Sequence, residues 1–231
     1  MLLIINNSNR NPKIKAYLNK QADYNKHECI LEKKKDGKFP LYVTDTLLKI
    51  LRKLNIPYKD ISTKDELIGI IKSKEYIRGI IITGSELKLS RSNIPDELLI
   101  PSMLAIKHFN TIPIFGICLG FQLINKYYGG EIESMDEFVK SMKQIKFNQI
   151  NTNKKTVPFF TNKHSGRYNL MHGDHLTKIG KGLIVTAEKN DVVYAIEHKS
   201  KPIIGVQFHP ELSGTKGQNM LINFAKLCYS K

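Results

Sequence analysis

Short runs of consecutive apolar residues alternate, in the N-terminal half of the chain, with longer segments whose apolar residues recur every three or four positions. Consecutive apolar residues are typical of strands buried on both faces, and the longer spacing places one apolar stripe on a helix. The alternation predicts a parallel sheet with helices on both faces. The predicted strands are Leu2–Ile5, 57–61, 77–83 and 112–115, and the predicted helices are 46–55, 64–74 and a segment that opens at Pro95. Thr63 and Glu66 predict a capping box at the start of the second of these helices.

The C-terminal third has a different pattern, in which strand-like segments follow each other at the spacing of hairpins. This pattern predicts an antiparallel or mixed edge to the sheet. With no internal repeat and no interdomain linker, we expect one α/β domain over residues 1–231: an open, mostly parallel sheet with an antiparallel C-terminal extension. The predicted strands here are 139–150, 167–171, 183–188, Val192–His198 and 203–208, and a helix is predicted at 219–227.

Residues 7–44 do not follow the alternation of strand and helix. They are polar and lysine-rich, with a turn-forming Asp-Gly pair at residues 36–37. We interpret this segment as an insertion or an elaborated loop that holds a short helix near residues 14–18. The only functional hypothesis it supports is a surface for a partner.

The composition is that of an ordinary globular protein with a strong positive charge. Hydrophobic residues make up 41% of the chain, and 36 basic against 21 acidic residues give a formal net charge of +15. Such a charge can indicate a nucleic-acid partner. The lysines are spread along the whole chain, however, with little interleaving of stacking aromatics. We therefore interpret the charge as a compositional bias and expect no nucleic-acid partner.

The cysteines and the lengths of the apolar runs indicate in which cellular compartment the protein is expected. Cys29, Cys118 and Cys228 are an odd number without a pairing pattern, which favours a reducing compartment. The N-terminal apolar run is too short for a signal peptide, and no run approaches the length that spans a membrane. We expect a cytoplasmic protein with no membrane partner, and a core position for Cys228.

The segment most informative about chemistry is Gly-Ile-Cys-Leu-Gly at residues 116–120. It lies between a predicted strand and a predicted helix that stops at Gly129. A nucleophile on such a sharp turn needs small neighbours, and the N-terminus of the following helix favours the thiolate of Cys118. By itself the motif also fits a small cysteine buried where a strand packs tightly on a helix.

A second segment, IIGVQFHPE at residues 203–211, favours catalysis. It is a predicted strand followed by His209 and Glu211. A cysteine, a histidine and a carboxylate form the nucleophile, base and orienting group of a catalytic triad when the fold brings them together. The alternative for His209 is a structural histidine, and the presence of both motifs favours the catalytic interpretation.

Residues 116–122 and 205–211 together resemble the two motifs of the class I (triad) glutamine amidotransferases. The resemblance extends from about residue 77 to the C-terminus and includes the first strand. It implies a flavodoxin-like α/β fold with the active site at the carboxyl ends of the parallel strands. It also implies that Cys118 attacks the side-chain amide of glutamine to form a γ-glutamyl thioester. His209 would act as general base and acid, and Glu211 would orient His209.

The same resemblance implies an oxyanion hole formed by the backbone N–H groups of Gly84 and Leu119. Many members of the family have two glycines and a proline where this chain has Thr-Gly-Ser-Glu at residues 83–86. This departure leaves the conformation of the loop open, although a glycine remains where the N–H group must be accessible.

Four residues are implied as contacts of the substrate glutamine. Gln122 lies one helical turn after Cys118. The alternative interpretation of Gln122 is a polar residue on the surface of the helix. Met171, His172 and Gly173 belong to a Met-His-Gly-Asp segment that resembles the glutamine-contacting segment of GMP synthetase amidotransferase domains. The histidine spacing in this segment is not a standard zinc pattern, so we expect no metal, and we expect no cofactor.

The resemblance is strongest to the GMP synthetase branch of the family, at residues 170–175 and 211–217. The sequence contains no Ser-Gly-Gly-x-Asp-Ser loop and no other glycine-rich phosphate-binding motif. We therefore expect that ammonia passes to a separate synthetase subunit, with a GMP synthetase-like partner as the first hypothesis. The alternatives are a stand-alone γ-glutamyl hydrolase of the same fold and a catalytically silent regulatory subunit.

Overall fold

A seven-stranded sheet with helices on both faces organises the part of the chain that the structure, a computed structural model, describes: residues 1–8, 11–21, 30–31, 41–148 and 159–230. The strands are β1 Leu2–Ile5, β2 Ile30–Leu31, β3 Leu41–Tyr42, β4 Tyr58–Ile61, β5 Gly79–Ile82, β6 Ile114–Ile117, β7 Glu131–Ile145, β8 Gly166–Lys178, β9 Leu183–Lys189, β10 Val192–His198 and β11 Ile203–Val206. The helices are α1 Pro12–Leu18, α2 Val43–Lys53, α3 Lys64–Ser73, α4 Asp96–His108, α5 Leu119–Tyr127 and α6 Gly214–Tyr229. Within the described ranges, no helix combines the length and the apolar character needed to cross a membrane.

The strand order in the large sheet is β4-β1-β5-β6-β11-β10-β9. The first five of these strands run parallel, whereas β10 lies antiparallel to β11 and β9 lies antiparallel to β10. Parallel neighbours need crossover connections, which the helices between the N-terminal strands provide. The predicted α/β sheet with an antiparallel C-terminal edge is therefore confirmed.

The short parallel strands are buried on both faces, as their unbroken apolar runs predict. In β1, Leu3 and Ile5 belong to a hydrophobic cluster that includes side chains of α1, α3, α4 and α5. Leu2 and Ile4 belong to a second cluster, with side chains of α2 and α6. Successive side chains of a strand point to opposite faces, so each apolar run supplies two layers of core.

The N-terminal ends of two helices test the predictions made from sequence. Helix α3 begins with the predicted capping box: Thr63 Oγ1 accepts from the N–H of Glu66, and the Glu66 carboxylate accepts from the N–H of Thr63. Helix α2 begins at Val43, earlier than the predicted residue 46. The sequence placed this start too late because Val43 and Thr44 are β-branched and have low helix propensity. Their side chains are buried against the core, and this packing outweighs the propensity.

Part of the segment 7–44 is helical. Helix α1 confirms the predicted short helix, with the side chain of Asn11 accepting from the N–H of Lys13 at its start and Ile14 and Leu18 buried in the core. The predicted insertion otherwise falls largely on residues 9–10, 22–29 and 32–40, which lie outside the described residues together with Cys29.

Strands β7 and β8 pair with each other in a separate antiparallel sheet, here called the β7–β8 ribbon (residues 131–145 and 166–178). The sequence predicted strands at 139–150 and 167–171, as part of a sheet edge. Both strands are longer and lie outside the large sheet, and residues 149–150 lie outside the described residues. The early part of β7 was missed because a register shift between Ser134 and Val139 interrupts the alternation that marks a strand.

Strand β6 and helix α5 approach each other closely at two glycines, Gly116 and Gly120. A Cβ atom on Gly116 would lie 2.5 Å from the backbone of Gly120, and a Cβ atom on Gly120 would overlap the carbonyl group of Ile82 in β5. Any larger residue at either position would push the helix away from the sheet. This contact therefore determines how sharply the chain turns at Cys118, between the strand and the helix.

We expect Gly120→Ala to lower the free energy of unfolding by about 1–3 kcal/mol, because the added methyl group has no space. Gly69→Ala is the matched control, since Gly69 lies inside α3 and a Cβ atom there meets no atom within 4 Å. The control should raise the free energy of unfolding by about 0.5–1 kcal/mol, because alanine favours the helix over glycine. Urea unfolding measures both. Equal stability of the two variants would contradict the close contact of α5 with the sheet.

Candidate active site

The pairing of two neighbouring strands brings the two motifs of the sequence to the same edge of the sheet. Strand β11 runs parallel to β6, with Val206 opposite Ile117. Cys118 directly follows β6, and His209 follows β11 after two residues. The carboxyl ends of parallel strands meet at one edge of a sheet, which is where open α/β folds place their binding sites.

Cys118 adopts a strained backbone conformation, with φ +51° and ψ −105°. A residue other than glycine held in such a region costs about 1–3 kcal/mol. Its N–H donates to the carbonyl of Val206 over 2.8 Å, and its carbonyl accepts from the N–H of Gln122 over 3.1 Å. The bond from Gln122 is the first inside α5, so the N–H groups of Leu119 and Gly120 have no acceptor within the helix. Cys118 thus lies at the positive end of the helix dipole, on the sharp turn that its motif predicts.

His209 is buried beside Glu211 and Cys118. Its Nδ1–H donates to Oε1 of Glu211 over 2.9 Å. The N–H of His209 donates to the carbonyl of Asn169 over 2.8 Å, and the Ser213 hydroxyl donates to the carbonyl of His209 over 2.6 Å. Burial lowers the pKa of the His209 imidazole, but the Glu211 carboxylate and the Cys118 sulfur more than offset burial, so the pKa is raised. The site therefore favours an imidazolium next to the sulfur.

Gly84, which follows β5 after one residue, lies against both the cysteine and the histidine. A Cβ atom on Gly84 would lie 3.0 Å from Cε1 of His209 and 3.4 Å from Cβ of Cys118. The preceding residue is fixed to the end of β1, because Asn7 donates its backbone N–H to Oγ1 of Thr83 and its side-chain N–H to the Thr83 carbonyl. The structure brings Gly84 to the Cβ atom of Cys118 and to the imidazole of His209, and its role in an oxyanion hole stays a prediction.

A small cavity of about 30 Å³ lies beside Cys118. Loop residues 85–88, Leu119 and Phe138 of the β7–β8 ribbon form part of its wall. The volume accommodates about one or two water molecules, so the cavity is too small for a glutamine side chain in this conformation. Gln122 is buried, which makes its interpretation as a surface residue wrong. The cavity wall includes all four predicted substrate contacts, Gln122, Met171, His172 and Gly173.

Asp174 connects three walls of this cavity. Its carbonyl oxygen accepts from Nε2 of Gln122 over 3.3 Å and from Nδ1 of His172 over 3.0 Å. Its carboxylate accepts from the N–H of Ser90 over 3.0 Å and from the Ser90 hydroxyl over 2.8 Å. Asp174 therefore joins the β7–β8 ribbon both to α5 and to the loop between β5 and α4.

His172 is neutral near pH 7. Burial lowers the pKa of its imidazole to about 4, and the hydrogen bond to Asp174 offsets only part of this effect. Because a carbonyl oxygen only accepts, Nδ1 carries the proton and Nε2 is left as an acceptor. Nε2 is buried and has no hydrogen-bond partner among the described residues. It can accept a hydrogen bond from a molecule bound in the cavity.

The family model for class I glutamine amidotransferases matches residues 41–228, most of the chain. This chain belongs to the class I glutamine amidotransferase family. The resemblance seen in the two sequence motifs is therefore confirmed, and with it the expected fold class.

The relatives of this amidotransferase include GMP synthases and their subunits. It is 38% identical over 181 residues to a subunit of the glutamine-hydrolyzing GMP synthase of Methanococcus aeolicus, a match that covers 77% of this chain and 88% of that subunit. It is 32% identical over 183 residues to the glutamine-hydrolyzing GMP synthase of Dictyostelium discoideum, covering 75% of this chain but 25% of that protein. A crystal structure of a Thermoplasma acidophilum protein, proposed to be a GMP synthase subunit, superposes with a TM-score of 0.66 at 19% identity, covering 99% and 94% of the two chains. At 19% sequence identity, this superposition shows a shared fold and nothing about function.

Two residues of the amidotransferase site, Asp174 and Gln207, were not assigned from the sequence. Asp174 connects the cavity walls partly through its main-chain carbonyl, which the residue type does not reveal. Gln207 lies fully buried between β11 and His209, with its Nε2 3.5 Å from Sγ of Cys118. A polar residue inside the apolar run Ile-Ile-Gly-Val-Gln-Phe was the available signal, because a buried amide needs hydrogen-bond partners.

We expect His172 to make the amidotransferase less stable as the pH falls from 7.5 to 5, by about 2 kcal/mol relative to a variant without it. Its pKa is lowered to about 4 in the folded state from 6.5, so in this window the unfolded chain binds the proton and the folded chain does not. His172→Gln should therefore lose less stability than the wild type over this range. Denaturant unfolding at both pH values measures the difference. His108→Gln, at an exposed histidine, is the control and should behave like the wild type.

Proposed function

We propose that this amidotransferase hydrolyses the side-chain amide of glutamine through a triad of Cys118, His209 and Glu211, and supplies the ammonia to a separate synthetase. The observation that carries the proposal is the buried pair of His209 and Glu211, joined over 2.9 Å, beside a cysteine on a strained turn. Backbone strain of this kind is maintained at functional sites, where it directs a side chain toward a substrate. A structural histidine would need neither the strained cysteine nor a buried carboxylate partner.

The reaction begins with attack of the Cys118 thiolate on the side-chain carboxamide carbon of glutamine. The negative charge that develops on the amide oxygen is stabilised by the N–H groups of Gly84 and Leu119, each such donor being worth about 10²–10³ in rate. Nε2 of His209 gives its proton to the nitrogen as the C–N bond breaks, and ammonia leaves. The γ-glutamyl thioester that remains is hydrolysed by water, which His209 deprotonates, and glutamate is released.

Glu211 orients this proton transfer. Its carboxylate accepts from Nδ1–H of His209, which selects the tautomer with Nε2 available toward the sulfur. Its charge also raises the pKa of His209 and so stabilises the imidazolium that donates to the departing ammonia. Both effects support a role in the triad.

His172 and Gln122 bind the substrate in this proposal. The neutral His172 offers a buried acceptor, Nε2, to an N–H group of glutamine, and a protonated histidine there would offer only donors. Gln122 is held against the cavity by its bond to the Asp174 carbonyl. Met171 and Gly173 form the neighbouring wall, where a glycine leaves space for the substrate.

The acceptor of the ammonia is a separate synthetase subunit of the GMP synthase type. The support for this is that the match extends over most of the Methanococcus aeolicus GMP synthase subunit but over one quarter of the longer Dictyostelium discoideum GMP synthase. The Methanococcus aeolicus relative is named as one subunit of GMP synthase, which supports an acceptor on a second chain. Its product would pass directly to that chain for purine nucleotide synthesis.

The small volume of the cavity supports control of glutamine hydrolysis by the synthetase subunit. A volume of about 30 Å³ does not accommodate a glutamine side chain, so the β7–β8 ribbon or loop 85–88 has to move before substrate enters. A partner that holds the open form would increase turnover, because a ligand shifts an equilibrium toward the state that it binds better.

We expect Cys118→Ser to reduce glutamine hydrolysis by at least about 10³-fold, because the serine hydroxyl is far less ionised than a thiol and His209 is placed for sulfur. Cys228→Ser is the matched control: Cys228 is buried in α6, away from the site, and the variant should retain nearly full turnover. Release of ammonia from glutamine, measured in the presence of the partner synthetase, gives the turnover of both variants. Wild-type turnover of the Cys118→Ser variant would refute the assignment of the nucleophile.

We also expect the isolated chain to hydrolyse glutamine slowly and the partner to raise turnover by about 10²–10³-fold. In this proposal the partner holds loop 83–86 so that the Gly84 N–H faces the substrate, and one oxyanion-hole donor is worth about that factor. Steady-state assays with and without the ATP-dependent chain of a GMP synthase measure this factor. Full activity that does not depend on the partner, or a preference for another γ-glutamyl compound, would favour a stand-alone hydrolase. No hydrolysis with or without the partner would favour a silent regulatory subunit.

A further inference from the structure

Gln207 connects the substrate cavity to the nucleophile. Its side chain is fully buried, and its Nε2 lies 3.5 Å from Sγ of Cys118. Its Oε1 accepts from Nε2 of Gln122 over 2.9 Å, and its backbone N–H donates to the carbonyl of Tyr194 over 2.9 Å. Gln207 is thus held at both its main chain and its amide, with one amide group directed to the sulfur.

The orientation of this amide follows from an acceptor at the far end of the network. The carbonyl of Asp174 only accepts, so Gln122 must present its NH₂ group there. The same NH₂ group faces Gln207, which must therefore present its oxygen to Gln122. The NH₂ group of Gln207 is left for Cys118, so it is a donor that faces the sulfur.

The His209 imidazolium is the charged group beside the sulfur and favours the thiolate. Of the uncharged neighbours, one favours the thiol and another favours the thiolate. The Cys118 thiol donates to the carbonyl of Met171 over 3.6 Å, a contact that is favourable only while the sulfur carries its proton. The N–H of Gln207 donates to the sulfur in either state, and hydrogen bonds to a charged acceptor are about twice as strong as neutral ones. Gln207 therefore opposes Met171 and stabilises the ionised form.

We propose that Gln207 is a positioning residue that holds the Cys118 sulfur and stabilises its thiolate through an N–H···S hydrogen bond. The proposal deepens the proposed function and rests on it, since the thiolate is the nucleophile of that reaction. It differs from a purely structural role, in which Gln207 would serve only to fill space and to accept the bond from Gln122.

Two variants distinguish these roles. Gln207→Glu keeps the shape and the acceptor for Gln122 but replaces the donor at the sulfur with a carboxylate oxygen. Gln207→Met removes both hydrogen bonds at similar volume. The thiolate role predicts a shift of the Cys118 alkylation midpoint in the methionine variant, whereas a structural role predicts none. The glutamate variant sets the upper limit of the effect, because a carboxylate beside the sulfur also opposes the thiolate by its charge.

The readout is the pH dependence of alkylation of Cys118 by iodoacetamide, with the modified cysteine identified by mass spectrometry. We expect the midpoint of the rate profile to rise by about one pH unit in Gln207→Met, the effect of one lost hydrogen bond to a charge, and by more in Gln207→Glu. Asn125→Asp is the control, since Asn125 is a buried amide of α5 that donates to backbone carbonyls of the β7–β8 ribbon. Its midpoint should equal that of the wild type.

Each variant that folds, as judged by circular dichroism, decides the question by itself. A midpoint equal to that of the wild type in either folded variant overturns the proposal. Alkylation needs no glutamine and no partner, so this result is independent of the proposed function. A wild-type chain that does not hydrolyse glutamine with its partner would refute that function, and the alkylation profile would still test the bond to Gln207.

Discussion

The parallel pairing of β6 with β11 determines where two distant chain segments leave the sheet, and the chemistry of the site depends on that position. With Val206 opposite Ile117, the residues after the two strands emerge side by side. The N–H of Cys118 continues this pairing by donating to the carbonyl of Val206. A change of register by one residue would reverse the faces of β11 and carry His209 away from the sulfur.

The backbone strain at Cys118 is offset by the packing of helix α5 against strands β6 and β5. Gly116 and Gly120 allow α5 to approach β6 and β5 so closely that the turn between strand and helix has little freedom. The side chains of α5 join one hydrophobic cluster of the core, and the residues of β6 alternate between both clusters. An unfavourable conformation at one residue is thereby maintained by burial spread over many residues.

The sequence predicted those features that depend on local pattern. The alternation of apolar runs and amphipathic segments predicted the sheet and its helices, and the capping box at Thr63 predicted the start of α3. The sequence did not reveal that β7 and β8 form a ribbon over the site, because the exposed residues of β7 carry no regular alternation. It also did not reveal the role of the Asp174 carbonyl, since every residue has a carbonyl group. Gln207 was visible as a polar residue in an apolar run, but its partners, Gln122 and Cys118, are distant in the chain. The roles of Cys118, His209, Glu211, Gly84 and Leu119 remain predictions of the sequence. The observed distances bring Gly84 to Cys118 and His209, and His209 to Glu211.

The hydrogen bonds of Asp174 have a consequence for how the site opens. Its carbonyl oxygen has two lone pairs, and both are occupied, by Gln122 and His172, while its carboxylate is occupied by Ser90. No substrate group can donate to this carbonyl oxygen without displacing a bond that is already present. Movement of the β7–β8 ribbon away from the cavity would break the bonds to Gln122 and Ser90 together, so opening should be a single cooperative transition between two states. A gradual widening of the cavity is not expected.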